Sequence, residues 1–130
     1  MARILLIDDD HDVRTLLVYE LEAAGHDVRV ARDGMQGLVM QRAAPAELVI
    51  TDIFMPEKEG IETIRELKEE FPRTKVIAIS GGGRLLASPG GFTMHDLGVV
   101  ARHLGAAAVL SKPFETAQLL KSIEAALDGR

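Results

Sequence analysis

Five short apolar segments recur along the chain, and longer segments of mixed polarity separate them. The apolar segments are residues 4–7, 28–31, 48–50, 76–79 and 109–110. Short runs of Ile, Leu and Val without polar alternation are typical of parallel strands that are covered on both faces. Their alternation with helical segments predicts repeated βαβ units. The sequence therefore predicts an α/β fold: a (βα)5 doubly wound, five-stranded parallel sheet in a three-layer sandwich.

The segments between the predicted strands have the apolar spacing of amphipathic helices. In the first of them, Asp10 and Asp12 are candidate N-caps, and Gly25 marks the end of the helix. The apolar stripe of this helix is predicted at Val13, Leu16, Leu17, Leu21 and Ala24. The second helix, around residues 35–43, has the weakest pattern because of two glycines, Gly34 at its start and Gly37 within it.

The connection between the fourth and fifth strands departs from the regular pattern. Helical spacing resumes only at Met94, which leaves residues 81–93 as a loop containing five of the twelve glycines. Connections of roughly two to six residues are usual in α/β units. Two interpretations stay open: a passive glycine-rich insertion, or a functional lid or docking surface beside the site.

Composition limits the class of protein. A chain of 130 residues without cysteine fits one domain, residues 1–130, and excludes disulfides, thiolate metal sites and thiol catalysis. A net charge of -5 disfavours nucleic-acid binding. The first apolar segment is too short for a signal peptide or a membrane span. We therefore expect a cytoplasmic domain with neither nucleic acid nor membrane among its partners.

Polar side chains follow the predicted strands where each strand ends. Asp8 and Asp9 follow the first strand, Asp52 the third and Ser80 the fourth, and Lys112 lies two residues after the fifth. Open α/β sheets bind ligands at this edge, and clustered carboxylates there predict a cation site beside a phosphoryl acceptor. Each residue alone has a structural explanation, such as a helix cap or a turn. Only the combination indicates a site.

In this order, the motifs resemble the receiver domain of bacterial two-component response regulators. The resemblance covers the whole chain and includes single-domain regulators of the chemotaxis type. It depends on Ile4-Leu5-Leu6-Ile7-Asp8-Asp9-Asp10, Asp52-Ile53-Phe54-Met55-Pro56 with Gly60, Val76-Ile77-Ala78-Ile79-Ser80 and Lys112-Pro113-Phe114. The resemblance implies a flavodoxin-like strand order of 2-1-3-4-5, in which the first and third strands flank the ligand crevice.

The resemblance also implies a metal site for Mg²⁺. Its ligands would be Asp9, Asp52 and the backbone carbonyl of Phe54, with Asp8 acting through water. Hard oxygen ligands are the ones that Mg²⁺ prefers. A divalent cation would balance the formal charge of -2 that three carboxylates and one lysine leave.

The chemistry implied is phosphorylation rather than conventional enzyme turnover. Asp52 would accept a phosphoryl group from a sensor histidine kinase or a phosphotransfer protein and form an aspartyl-phosphate. Lys112 and Ser80 would contact the phosphoryl oxygens. As a stand-alone receiver, the chain would then signal by protein–protein contact with an unidentified downstream protein.

One position departs from the family pattern. Receivers usually carry Tyr or Phe three residues before the lysine of the fifth strand, and that ring turns inward on phosphorylation. Here the residue is Val109, which has no ring to move. We expect another element to carry the response, with Arg84 or Phe92 of the glycine-rich segment as candidates.

Two other classes of protein share part of this pattern of residues. A haloacid-dehalogenase-like, Mg²⁺-dependent phosphatase would use Asp8 as its nucleophile, with Asp10, Ser80 and Lys112. This class needs an acidic pair at a strand end after the lysine, but none of the acids that follow Lys112 (Glu115, Glu124 and Asp128) is predicted at a strand end. The phosphatase interpretation also leaves the motif at Asp52 unexplained. A flavodoxin-like cofactor binder would need a phosphate-cradling loop and aromatic walls, but aromatic residues make up only 4% of the chain.

Overall fold

The computed structural model describes residues 2–53, 60–80 and 94–128 of the chain. The predicted metal ligand Phe54, the Met55-Pro56 pair and the glycine-rich segment 81–93, with Arg84 and Phe92, lie outside the described residues. The residues at the ends of all five predicted strands lie within them.

In the described part of the chain, five strands form one parallel sheet. They are β1 (Arg3–Ile7), β2 (Asp27–Ala31), β3 (Leu48–Asp52), β4 (Lys75–Ser80) and β5 (Ala108–Ser111). Their order is β2-β1-β3-β4-β5, and every neighbouring pair is parallel. The predicted α/β fold and the strand order of 2-1-3-4-5 are both confirmed. β3 and β4 extend far enough to include Asp52 and Ser80 as their last residues.

Helices cover both faces of the sheet. The described helices are α1 (His11–Ala23), α2 (Gly34–Ala43), α3 (Gly60–Glu70), α4 (Met94–His103) and α5 (Thr116–Asp128). Alternation along β1 divides the core, because Leu5 and Ile7 face one side of the sheet and Ile4 and Leu6 face the other. α2, α3 and α4 pack on the first side, and α1 and α5 pack on the second. The three-layer prediction is therefore confirmed.

The start of α1 lies directly after the acidic run of β1. Asp10 is the N-cap, and its carboxylate accepts hydrogen bonds from the N–H groups of Asp12 and Val13, at 2.9 and 3.2 Å. Asp12 lies inside the first turn, so only one of the two candidate caps has that role. Gly25 follows the helix with a φ of +95°, a conformation that favours glycine.

The predicted apolar stripe of α1 is wrong at two positions. Leu17 and Leu21 are buried against the sheet, but Leu16 is 58% exposed and Ala24 is exposed after the helix end. A helix advances by about 100° per residue, so Leu16 and Leu17 cannot both point at the same underlying strand.

In the described parts of the chain, no helix has the length and apolar character needed to cross a membrane.

Candidate functional site

Three carboxylates meet at the carboxyl edge of the sheet. β1 and β3 are neighbours with Ile7 paired to Thr51, so the next residues, Asp8 and Asp52, lie side by side. Oxygen atoms of Asp8, Asp9 and Asp52 all lie within 4.8 Å of one another. Asp8 and Asp52 are buried, whereas Asp9 is exposed. The strand order therefore brings together residues that are far apart in the sequence.

Lys112 directly follows β5, and its side chain extends to this cluster. Its backbone N–H donates a hydrogen bond of 2.8 Å to the carbonyl of Ser80, which extends the β4–β5 pairing by one residue. The Nζ atom lies 3.3 Å from Oδ2 of Asp52 and 3.9 Å from Oδ2 of Asp8. One ammonium among these side chains leaves a formal charge of -2, as the sequence indicated.

The carboxylate of Asp8 is the most perturbed acid of the cluster. Burial raises its pKa from 3.8 to about 6, and the charges of Asp52 and Asp9 add to this effect. The N–H of Asp10, which donates a hydrogen bond of 2.9 Å to Oδ1, and the ammonium of Lys112 lower the pKa. The net effect is an ionised group that the protein stabilises poorly.

The second oxygen of Asp8 has no hydrogen-bond partner among the residues that the structure describes. A buried, ionised oxygen that accepts no hydrogen bond and, among the described residues, has only the ammonium of Lys112, at 3.9 Å, as an ion-pair partner is unfavourable, and a bound cation relieves this cost. The donor set consists of hard carboxylate oxygens that are close enough to share one ion. The site can therefore hold a metal ion.

Gly60 fixes the start of α3 beside the backbone of Asp52. Its N–H donates a hydrogen bond of 2.8 Å to the carbonyl of Ile53. A Cβ atom at Gly60 would lie 2.2 Å from the carbonyl oxygen of Asp52 and 2.4 Å from Cα of Ile53. Only glycine permits this approach. The sequence included Gly60 in a motif but gave no indication of this contact.

Ser80 ends β4 at the same edge, and its side chain is buried. The hydroxyl Oγ lies 3.2 Å from Oγ of Ser111 and 3.5 Å from the carbonyl oxygen of Leu110. The structure therefore places the Ser80 hydroxyl in contact with β5. Ser111 was not among the residues predicted from the sequence, although it directly precedes Lys112.

Val109 lies on the face of the sheet that α4 covers. It is partly buried against the core cluster there, and it pairs with Ala78 of β4. The residue that replaces the expected aromatic ring is thus a packed aliphatic side chain.

Comparison with known proteins agrees with the fold. Residues 4–124 match the family described as "Response regulator receiver domain". The chain is 37% identical to the response regulator receiver protein CpdR of Brucella abortus, over 95% of each chain. It is 35% identical to the transcriptional regulatory protein CpxR of Escherichia coli K12, over 98% of this chain but only 50% of CpxR. The chain thus spans about half the length of that relative.

Solved structures give the same result. The receiver domain of NtrX from Brucella abortus has a TM-score of 0.85 and 29% identity, over 98% of this chain and 99% of that one. A CheY-like receiver domain protein from Methanospirillum hungatei JF-1 has a TM-score of 0.86 and 27% identity, over 99% and 95%. The phosphatase alternative finds no support in these comparisons. The chain belongs to the receiver domain family of two-component response regulators.

Proposed function

We propose that Asp52 is the phosphoryl acceptor of this receiver domain. One observation carries the proposal: the buried carboxylate of Asp52 shares a cluster with two other carboxylates and lies 3.3 Å from the ammonium of Lys112. The phosphoryl donor would be a phosphohistidine on a sensor histidine kinase or a phosphotransfer protein. A carboxylate oxygen of Asp52 attacks phosphorus, the P–N bond of the donor breaks, and an acyl phosphate forms.

Lys112 stabilises the product in this proposal. In the structure its ammonium donates a hydrogen bond to Asp52, and it can turn to a phosphoryl oxygen once the carboxylate is phosphorylated. A charge-assisted hydrogen bond to the transferred group stabilises charge that accumulates on its equatorial oxygens. Ser80, at the end of the adjacent strand, donates a hydrogen bond from its hydroxyl group to a second phosphoryl oxygen.

The carboxylates of Asp8, Asp9 and Asp52 suit Mg²⁺. We propose that Asp9, Asp52 and the backbone carbonyl of Phe54 would be its ligands, with Asp8 acting through water. The support is the Asp8 oxygen that accepts no hydrogen bond from the described residues, together with the pKa of that residue, which burial and the neighbouring carboxylates raise. When bound, Mg²⁺ would neutralise the carboxylates and the incoming phosphoryl group. Asp8 and Asp9 then serve to position the ion beside Asp52.

We propose that residues 1–130 form a single receiver domain that acts as a cytoplasmic signalling module rather than a conventional enzyme. Its output would be a changed contact surface for a downstream protein. A net charge of -5 makes direct contact with nucleic acid unfavourable.

Intact-mass measurement after incubation with acetyl phosphate and Mg²⁺ tests the assignment. The wild-type chain should gain one phosphoryl group, and Asp52→Asn should gain none. Asp27→Asn is a matched control, because Asp27 is exposed at the opposite end of a strand, where β2 begins. The control should be labelled like the wild type. Labelling of Asp52→Asn at the wild-type level would refute the assignment.

Removal of the metal adds a second arm to this experiment. Excess chelator should prevent labelling of the wild type, since the charge of the product would then be uncompensated. Labelling that continues in chelator would show that phosphoryl transfer does not require the ion.

A further inference from the structure

Two serine hydroxyls contact each other at the carboxyl edge of the sheet. Ser80 and Ser111 are direct neighbours in the pairing of β4 with β5. Their Oγ atoms lie 3.2 Å apart, within hydrogen-bonding distance. Ser80 is buried, whereas Ser111 is exposed. The pair therefore connects the interior of the site with the surface of β5, which is a strand at one end of the sheet.

The alternation of side chains shows which way the Ser80 hydroxyl points. Val76 and Ala78 of β4 contribute to the core on the α4 side, and Ser80 continues this series. Leu48 and Ile50 of β3 contribute to the opposite core, and Asp52 continues that one. The hydroxyl of Ser80 thus lies on the opposite face from the carboxylate of Asp52.

A serine hydroxyl has one proton to donate. While Ser80 donates that proton to Ser111 or to the carbonyl of Leu110, it cannot donate it to a phosphoryl oxygen on Asp52. The two arrangements exclude each other. A switch between them requires that the contact with β5 be broken.

We propose that Ser111 is a positioning residue that holds the hydroxyl of Ser80 on β5 in the unphosphorylated protein. Phosphorylation of Asp52 exchanges this hydrogen bond for one from Ser80 to a phosphoryl oxygen. The inference rests on the proposed function, since it presupposes a phosphoryl group at Asp52. It adds a residue that sets the equilibrium between the resting and activated arrangements.

The exchange of hydrogen bonds changes the surface of the protein, because one member of the pair, Ser111, is exposed. Ser111 lies two residues after Val109 on the same strand, and both face the α4 side of the sheet. Release of Ser80 frees the hydroxyl of exposed Ser111 at this edge. A chain with valine at position 109 can therefore alter the surface of β5 without turning an aromatic ring.

The test uses beryllium trifluoride with Mg²⁺ as a phosphoryl analogue, with its affinity measured by titration of backbone amide NMR signals. Ser111→Ala should bind the analogue about fivefold more tightly than the wild type, because one net hydrogen bond no longer opposes the exchange. Ser111→Thr keeps a hydroxyl and should bind like the wild type. Ser122→Ala removes a serine hydroxyl from α5 and serves as the matched control.

A double-mutant cycle separates positioning from a general structural effect. In a Ser80→Ala background no hydroxyl remains to be held, so adding Ser111→Ala should leave the affinity unchanged within about twofold. An equal gain in both backgrounds would overturn the proposal, as would a wild-type affinity in Ser111→Ala. A wild-type protein that fails to bind the analogue would instead refute the proposed function, so the two failures are distinguishable.

Discussion

In the absence of metal, we expect the buried charge of Asp8 to lower the free energy of unfolding at neutral pH. The pKa of this carboxyl rises from 3.8 to about 6, mainly because the side chain is buried. A shift of this size corresponds to about 3 kcal/mol of unfolding free energy lost at neutral pH. Asp8→Asn removes the charge and keeps an oxygen that can accept the hydrogen bond from Asp10. In chelator at pH 7.5, we expect the variant to be about 1–3 kcal/mol more stable than the wild type.

The dependence on pH has a definite sign. Because the folded-state pKa of Asp8 exceeds its unfolded value, the folded protein binds the proton more tightly between about pH 4 and pH 6. The stability that this proton confers is present below pH 4 and is lost as the pH rises through 6. The difference between wild type and Asp8→Asn should therefore fall to less than about 1 kcal/mol at pH 4.

Urea unfolding followed by circular dichroism measures both differences, and each kcal/mol corresponds to roughly 4 °C in Tm for a domain of this size. Asp9→Asn is the matched control, because it removes an exposed charge from the same cluster and should give a smaller gain. Saturating Mg²⁺ should stabilise the wild type much more than Asp8→Asn. A variant less stable than the wild type at pH 7.5, or a gain that persists at pH 4, would refute the reasoning.

Two further predictions concern the residues around Asp52. Gly60→Ala places a methyl group against the backbone of Asp52 and Ile53, which no rotamer can relieve, so urea unfolding should give a loss of about 1–3 kcal/mol. A stability within about 0.5 kcal/mol of the wild type would contradict this close approach. Lys112→Met should weaken binding of beryllium trifluoride by about tenfold or more in the NMR titration, because it removes a charge-assisted hydrogen bond. Unchanged affinity would exclude Lys112 from contact with the phosphoryl group.

The sequence alone predicted the elements of the fold and the residues at the ends of the strands. Runs of Ile, Leu and Val determine buried parallel strands wherever they lie, and Asp10 can cap a helix through its immediate neighbours alone. These are local properties of the chain. The prediction of the strand order had another source, because it came from the resemblance to a family and not from the pattern of residues.

Local periodicity failed where neighbouring residues were equally apolar. Leu16 and Leu17 fit the same helical pattern, and only packing against the sheet decided that Leu17 is buried and Leu16 is exposed. The adjacent acids Asp8 and Asp9 differ in the same way. A run of three aspartates does not tell which one is desolvated, so the raised pKa of Asp8 could not be predicted from the sequence.

The tertiary structure decided the contacts that control the candidate site. Gly60 touches the backbone of Asp52 because α3 begins against the end of β3, and Ser80 meets Ser111 because β4 and β5 pair in one register. A shift of one residue in that register would turn the two hydroxyls to opposite faces. Such contacts depend on which distant segments become neighbours, and a single sequence read along its length contains no local signal for that choice.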